Sequence, residues 1–182
     1  MATRAKLTRT DLGAGNRVMR LVWTVVWALF YRPSPNFLFG WRIFLLRIFG
    51  ATIEAGAHPY SSAKIWAPWN LTMKKGSCLG PHVDCYDVAP ITLGEDSVVS
   101  QYSYLCSASH DYRYARLPLI AAPIVVERRA WVTACVFVGP GVTVGEGAVV
   151  LARSSVFSDI PPWKVARGSP AEVWKDRSLL DE

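Results

Sequence analysis

Val138-Gly-Pro-Gly-Val-Thr-Val-Gly-Glu-Gly-Ala-Val-Val150 is the stretch on which the fold turns. It lies inside a longer series: Val126, Val132, Val138, Val144, Val150 and Val156 recur every six residues without a break. Four places after each valine comes Ala130, Val136, Val142, Ala148, Ser154 or Ile160, mostly small or β-branched. An amphipathic helix needs apolar residues at spacings of three and four, and simple strand alternation would not hold a six-residue phase. A fixed short repeat predicts a β-helix in which each hexad is one short strand plus a corner. Three hexads then make a triangular coil, and coils stack about 4.8 Å apart. The first valine of each hexad points into the prism, and the position four later sits near a corner. No hexad buries its valine alone, so stability comes from neighbouring coils.

Upstream the same phase is present with two slips. Ile53, Pro59 and Ile65 fit one coil. Two extra residues in the Trp66–Thr72 corner shift the phase to Met73, Leu79 and Cys85, and two more around Ala89-Pro90 shift it to Leu93, Val99 and Leu105. Residues 107–123 break the repeat, and a long excursion from a regular solenoid is a usual place for function. After Pro161-Pro162 the repeat ends, and Pro170–Arg177 reads as a short capping helix. At the other end, residues 1–15 read as loose and basic, Asn16 as the cap of a helix through Arg32, and Ser34-Pro35 as the start of a second helix ended by Gly50. The expected organisation is a basic, apolar helical leader over 1–50 and a β-helix over 51–182. The latter carries the inserted loop 107–123 and a C-terminal cap at 163–182.

Charge separates these regions. Residues 1–50 hold eight Lys/Arg against the single acid Asp11, while residues 51–182 hold twelve against thirteen. A nucleic-acid module would be expected to carry its basic stripe on the folded domain, so that class is set aside. The apolar run of the first helix spans roughly 22 Å, short of a bilayer core of about 30 Å. Two uses of the leader stay open: packing on the β-helix or a neighbouring subunit, or interfacial membrane contact. The second draws on Trp23, Trp27 and Trp41 with Arg17, Arg20, Arg32, Arg42 and Arg47. Cys78, Cys85, Cys106 and Cys135 form no CxxC pair and read as free thiols in a reducing compartment. The apolar run begins late and has no small-residue cleavage site, so the expected location is cytoplasmic, at most peripheral to the membrane.

The glycine-rich hexads resemble those of the hexapeptide-repeat acyltransferases. Ser107-Ala-Ser-His-Asp-Tyr112 narrows the resemblance to the colanic-acid-type sugar O-acetyltransferases. Tyr31-Arg-Pro-Ser-Pro35, Ala63-Lys-Ile-Trp-Ala-Pro-Trp-Asn-Leu-Thr72, Ala89-Pro-Ile-Thr-Leu-Gly94 and Ser100-Gln-Tyr-Ser-Tyr-Leu-Cys106 match the same branch, so the likeness covers nearly the whole chain. It implies a mainly β fold, a left-handed parallel β-helix, an exception to right-handed crossovers. It also implies a homotrimer with acetyl-CoA in a groove between subunits, and a sugar or lipid-linked saccharide as acceptor.

The resemblance makes His110 the general base, a role histidine can fill near neutral pH. Asp84, with Tyr86 and Asp87 beside it, stands where relatives place a polar residue for the acceptor. Trp131 and Ala134 carry over to the pantetheine, Ala152 to the next coil and Lys175 to the phosphates. Where the family usually has Thr-Lys before the Asp-Ile-Pro-Pro run, this chain has Phe157-Ser158, so Arg153, Lys164 or Arg167 stands in for the lost lysine. Two other readings use the same residues: a non-catalytic scaffold, and N-acylation of an amino-sugar nucleotide. Zinc is not expected, because His58, His82 and His110 are 24 and 28 residues apart, without metal-site spacing.

Overall fold

The computed structural model describes residues 7–10 and 12–179; residues 1–6 and 11 of the segment expected to be loose lie outside that range, as do 180–182. The chain winds into a triangular prism with three parallel faces. On the first face Ile53, Met73, Leu93, Val126 and Val144 stack in register, with Ile160 bridging to Val144. Pro59, Leu79, Val99, Val132, Val150 and Ala166 stack on the second. Ile65, Cys85, Leu105, Val138 and Val156 stack on the third. These are the inward positions of the hexads, slips included, and the six valines are fully buried. The extra residues of the two slips lie at the corner between the third and first faces. Pro68–Asn70 makes a 3-10 turn at one of them.

Two corners share one backbone device. Asp96, Arg129 and Trp163 at one, and His82, Tyr102, Cys135 and Arg153 at the other, have φ between 55° and 61°. This left-handed conformation turns the amide back to the preceding coil: Asp96 N donates to Lys75 O, Arg129 N to Glu95 O and Arg153 N to Ala134 O. Close approach explains Gly145, where an added Cβ would stand 2.6 Å from the Pro162 nitrogen.

Along the faces neighbouring coils are joined by parallel backbone ladders. Glu54 N donates to Met73 O, His58 N to Ser77 O and Tyr60 N to Leu79 O, and the pattern repeats up the stack. The first coil is the edge strand of all three faces, and its outward carbonyls need donors. The N-terminal helices supply them. Trp23 Nε1 donates to Ile65 O at 2.7 Å, Trp27 Nε1 to Ala63 O at 2.9 Å and the Tyr31 hydroxyl to Tyr60 O at 3.1 Å. Arg42 Nε donates to Pro59 O at 2.7 Å, and Arg47 Nε to Ile53 O at 3.0 Å. Trp23, Tyr31, Ile43 and Leu46 join the same apolar core as the prism.

These contacts set the helix boundaries, which differ from the sequence expectation. Helix α1 (Ala14–Val26) starts after Gly13, and Asn16 lies within it, accepting from Arg20 Nε rather than capping. It continues as a wide π turn over Trp27–Tyr31, in which Arg32 N donates to Trp27 O. In an α-helix each four-residue step overshoots a full turn by about 40°. The wide turn cancels that drift and returns Tyr31 to the face that meets the prism. Helix α2 (Phe39–Ile48) starts four residues later than Pro35. Residues 34–38 stay non-helical because the Pro35 and Asn36 carbonyls accept from the buried Arg42 guanidinium, which also donates to Ser34 Oγ. Gly50 ends α2 with φ +87°.

Two further expectations are corrected. The C-terminal cap is a β-hairpin and not a helix: Lys164–Gly168 extends the second face beside Val149 and Val150, and Ala171–Asp176 pairs antiparallel with it. The last coil exposes an open strand edge, and pairing there outweighs local helix preference. Thr8–Arg9 is a strand and not loose chain; it pairs with Ile120 and Ala121 of the inserted segment.

Arg42→Met tests the donor cap. Each buried carbonyl left without a donor costs about 1–3 kcal/mol, and 1 kcal/mol moves the melting point of a domain this size by about 2–4 °C. The variant is expected to melt roughly 10 °C lower; an unchanged transition would show that the cap does not depend on this guanidinium.

Candidate active site

The segment 107–123 leaves the prism at the corner between the third and first faces and forms a hairpin. Ala108–His110 pairs antiparallel with Leu119–Ala121, and Thr8–Arg9 adds a third strand. At its root Ala108 and Ala121 pack with Val88, Trp66, Tyr86 and Leu119. At its tip the Asp111 carboxylate takes a two-pronged ion pair from Arg113, at 2.8 and 2.7 Å, and accepts from the Arg113 amide. The Arg113 guanidinium holds the Asp111 carboxyl below the usual carboxylate range. Arg9 lies over the Tyr114 ring at 4.7 Å, so the leader braces the tip from outside.

His110 is exposed on this hairpin, and its Nδ1 lies 2.5 Å from the Leu117 carbonyl oxygen. A carbonyl has no proton to give, so the contact is a hydrogen bond only when Nδ1 carries the hydrogen. In the neutral ring Nε2 then holds the free lone pair. Leu117 adopts φ +46° and its amide donates to Tyr114 O, which fixes the turn that presents its carbonyl. The Cys106 thiol donates to Ala108 O.

The acceptor candidates separate into two kinds. Asp84 and Tyr86 flank inward Cys85 and lie on the outer surface of the third face, with Asp84 3.5 Å from Lys64 Nζ. Asp87 does not reach that surface. It is buried, and its Oδ1 accepts from Trp66 N and Ala67 N at 3.1 and 2.7 Å, holding the widened corner. Asn70 Nδ2 ties the same corner to the Asp87 and Val88 carbonyls. Burial pushes the Asp87 carboxyl up to about 8, against the pull of those amides.

The donor-side candidates lie elsewhere. Ala134 and Ala152, with Arg153, sit one coil apart at the corner between the second and third faces. Trp131 is exposed on the second face with Nε1 donating to Ser100 Oγ. Lys164, Arg167 and Lys175 are on the terminal hairpin. Lys164 pairs with Asp176, while Arg167 and Lys175 both lie over the Trp174 ring, at 4.1 and 4.7 Å. Within one chain, His110 is thus at the corner of the third and first faces, while Ala134, Ala152 and Arg153 are across the third face from it and the rest of this set is on the second face.

Four features escaped the sequence reading. Trp66, Tyr86, Tyr104, Phe137 and Phe157 form a continuous aromatic column along the third face. Each stands one residue before or after an inward position, a phase that could have been read from the hexads. The Asp111–Arg113 brace and the Leu117 carbonyl depend on the hairpin's closure, and Trp174 on the terminal hairpin. Of the other histidines, His58 meets Phe39 edge-on and His82 stacks on Tyr102. Among the described residues no group of three or more His, Cys, Asp or Glu is placed to hold a metal ion.

The geometry at Asp87 generates a pH prediction. Its folded value lies above the ordinary one near 4, so the fold favours the neutral carboxyl. The associated stability is full below pH ~4 and is lost as pH rises through ~8. Asn keeps an acceptor oxygen for the Trp66 and Ala67 amides but does not ionise. The melting-point advantage of Asp87→Asn over wild type is expected to grow between pH ~5 and ~9; parallel pH profiles would rule the effect out.

Comparison with known proteins places this geometry. No family model matches the chain. It is 44% identical over 163 residues to the Escherichia coli K12 protein WcaF, which carries the name of a colanic acid biosynthesis acetyltransferase; the match covers 90% of each chain. Among solved structures, a hexapeptide-repeat acetyltransferase from Vibrio cholerae, complexed with acetyl-CoA, superposes with a TM-score of 0.81 at 24% identity, over 92% of this chain and 91% of that one. A maltose O-acetyltransferase from Clostridium difficile superposes with a TM-score of 0.79 at 21% identity, over 96% and 94%. With the prism, the interrupting hairpin and this extent of identity together, the chain belongs to the hexapeptide-repeat acetyltransferase family, whose left-handed parallel β-helix it shares.

Proposed function

We propose that this chain transfers an acetyl group from acetyl-CoA to a sugar hydroxyl in the assembly of an exopolysaccharide or cell-envelope polysaccharide, with His110 as general base. The observation that carries the reading is the His110–Leu117 contact, which leaves Nε2 free on an exposed, braced hairpin. Nε2 takes the hydroxyl proton as the sugar oxygen attacks the thioester carbon. A backbone N–H from an adjacent coil stabilises the oxyanion. Collapse then breaks the carbon–sulfur bond, and the imidazolium returns its proton to the leaving thiolate. Asp84 and Tyr86 face the acceptor, and Asp87 acts behind them by holding the corner.

The separation of His110, at the corner of the third and first faces, from the donor-side residues, at the far corner and on the second face, supports a homotrimer, in which the hairpin of one subunit meets the donor groove of the next. Trp131, Ala134 and Ala152 would lie along the pantetheine. Arg153, Lys164, Arg167 and Lys175 would meet the phosphates. The Lys164–Asp176 pair is exposed and contributes little, so an incoming phosphate competes with it readily. A cytoplasmic location beside the membrane follows from the donor and from a lipid-linked acceptor.

His110→Ala is expected to lower turnover by about 10²–10⁴-fold while coenzyme A binding, read by calorimetry, changes little. A loss smaller than about tenfold would remove His110 from the base role. Nitrogen-15 NMR of the neutral ring should show Nδ1 protonated and Nε2 bare; the opposite tautomer would contradict the proposed orientation. Release of free thiol across a panel of sugars and amino sugars identifies the acceptor, and no coenzyme A binding at all would favour a scaffold. Light scattering should give the mass of a trimer, and a monomer at micromolar concentration would overturn the shared site.

A further inference from the structure

The N-terminal cap has two apolar sides, and only one is used. Trp23, Trp27 and Tyr31 turn one side of α1 onto the carbonyl rim. Val18, Leu21, Val22, Val25 and Leu29 line the opposite side and are exposed, Leu21 to 67% and Leu29 to 62%. On α2, Trp41, Phe44 and Ile48 recur at spacings of three and four and are also exposed. Phe30 and Phe37 lie at the ends of these stripes, Phe37 at 80% exposure. Trp41 Nε1 donates to the Phe30 carbonyl, tying α2 to the end of the π turn with its ring still outward. Monomeric proteins rarely leave so many large apolar side chains bare on one short segment.

Charge decides what covers it. No Asp or Glu occurs from Leu12 to Ile53. Arg42 and Arg47 are engaged with carbonyls, and Arg20 lies over Trp66, so these cations serve the fold. Arg17 and Arg32 are exposed on the cap, Arg32 with its guanidinium 5.3 Å from the centre of the Trp27 ring. A second copy laid on this surface would bring the same cations against them, whereas an anionic bilayer accepts both the apolar side chains and the charge. No helix among the described residues is long and apolar enough to cross a membrane, so a contact of this kind lies in the interface plane.

We propose that the outer side of α1 and α2, through Leu21, Leu29, Phe37 and Trp41 with Arg17 and Arg32 around them, docks on an anionic lipid surface. The prism then stands on the membrane by its first coil. This narrows the membrane contact expected from the leader: Trp23, Trp27, Arg42 and Arg47 face the prism, while Trp41, Arg17 and Arg32 stay outside and are joined there by Leu21, Leu29 and Phe37.

The test is co-sedimentation of the full-length protein with vesicles of phosphatidylethanolamine and phosphatidylglycerol, beside vesicles of phosphatidylcholine alone. Binding is expected to the anionic vesicles, weakened but not abolished by high salt. A Leu21→Ser/Leu29→Ser/Phe37→Ser variant should bind roughly tenfold less or weaker, with its mass by light scattering unchanged. Arg17→Ser/Arg32→Ser should remove most of the salt-sensitive binding. His110→Ala should bind vesicles like wild type, which separates this proposal from the catalytic one. Absence of binding to anionic vesicles at low salt would overturn it. So would a drop in particle mass in the serine variant, which would make the stripe a contact between copies.

Discussion

A rim of carbonyls at the first coil governs this molecule. The first coil has no coil beneath it to pair with, so carbonyls of Ile53, Pro59 and Ile65 are left at an open strand edge. The leader reads as an answer to that edge. Its tryptophans, arginines and Tyr31 bring donors, and an acidic side chain there would add one acceptor to another. The π turn, the late start of α2 and the buried Arg42 all follow from placing donors at fixed points of a triangle. Because the side chains that close the rim also enter the prism core, cap and solenoid are held by one set of contacts.

On this scaffold the hairpin is the one departure from the lattice between Leu105 and Val126, and rigidity is restored to it by local means. Asp111 and Arg113 close the tip, Arg9 braces it, and the Leu117 carbonyl orients the histidine. The orienting group is backbone, so the tautomer follows from the path of the chain rather than from a partner side chain. Asp87 has a comparable role in the coil below. It looks like an acceptor-binding carboxylate in the sequence, but it is a buried tie between two corners, and burial leaves it largely neutral near pH 7.

The leader shows how one composition can serve two surfaces. Basic and aromatic residues together suggest membrane contact, yet the structure divides them. Trp23, Trp27, Arg42 and Arg47 complete the fold, while Leu21, Leu29, Phe37 and Trp41 stay outside. Sequence alone gives no means of making that division, because both stripes of α1 are apolar and the arginines are spread around them.

What the sequence by itself determined was whatever repeats with a fixed period. Each coil buries one residue per face, so the six-residue phase places Ile53 through Val156 inward, and both slips fall at the corner that can widen. His110 was legible because it interrupts that period. Tertiary structure decided whatever closes the period off. The C-terminal segment became a strand because an open edge lay beside it, and Thr8–Arg9 became one because the hairpin offered an edge in turn. The free nitrogen of His110 and the burial of Asp87 came from contacts between residues that share no local pattern. A repeat is specified by neighbours in the chain, but an edge is satisfied by whatever reaches it in space, and only the folded chain shows what does.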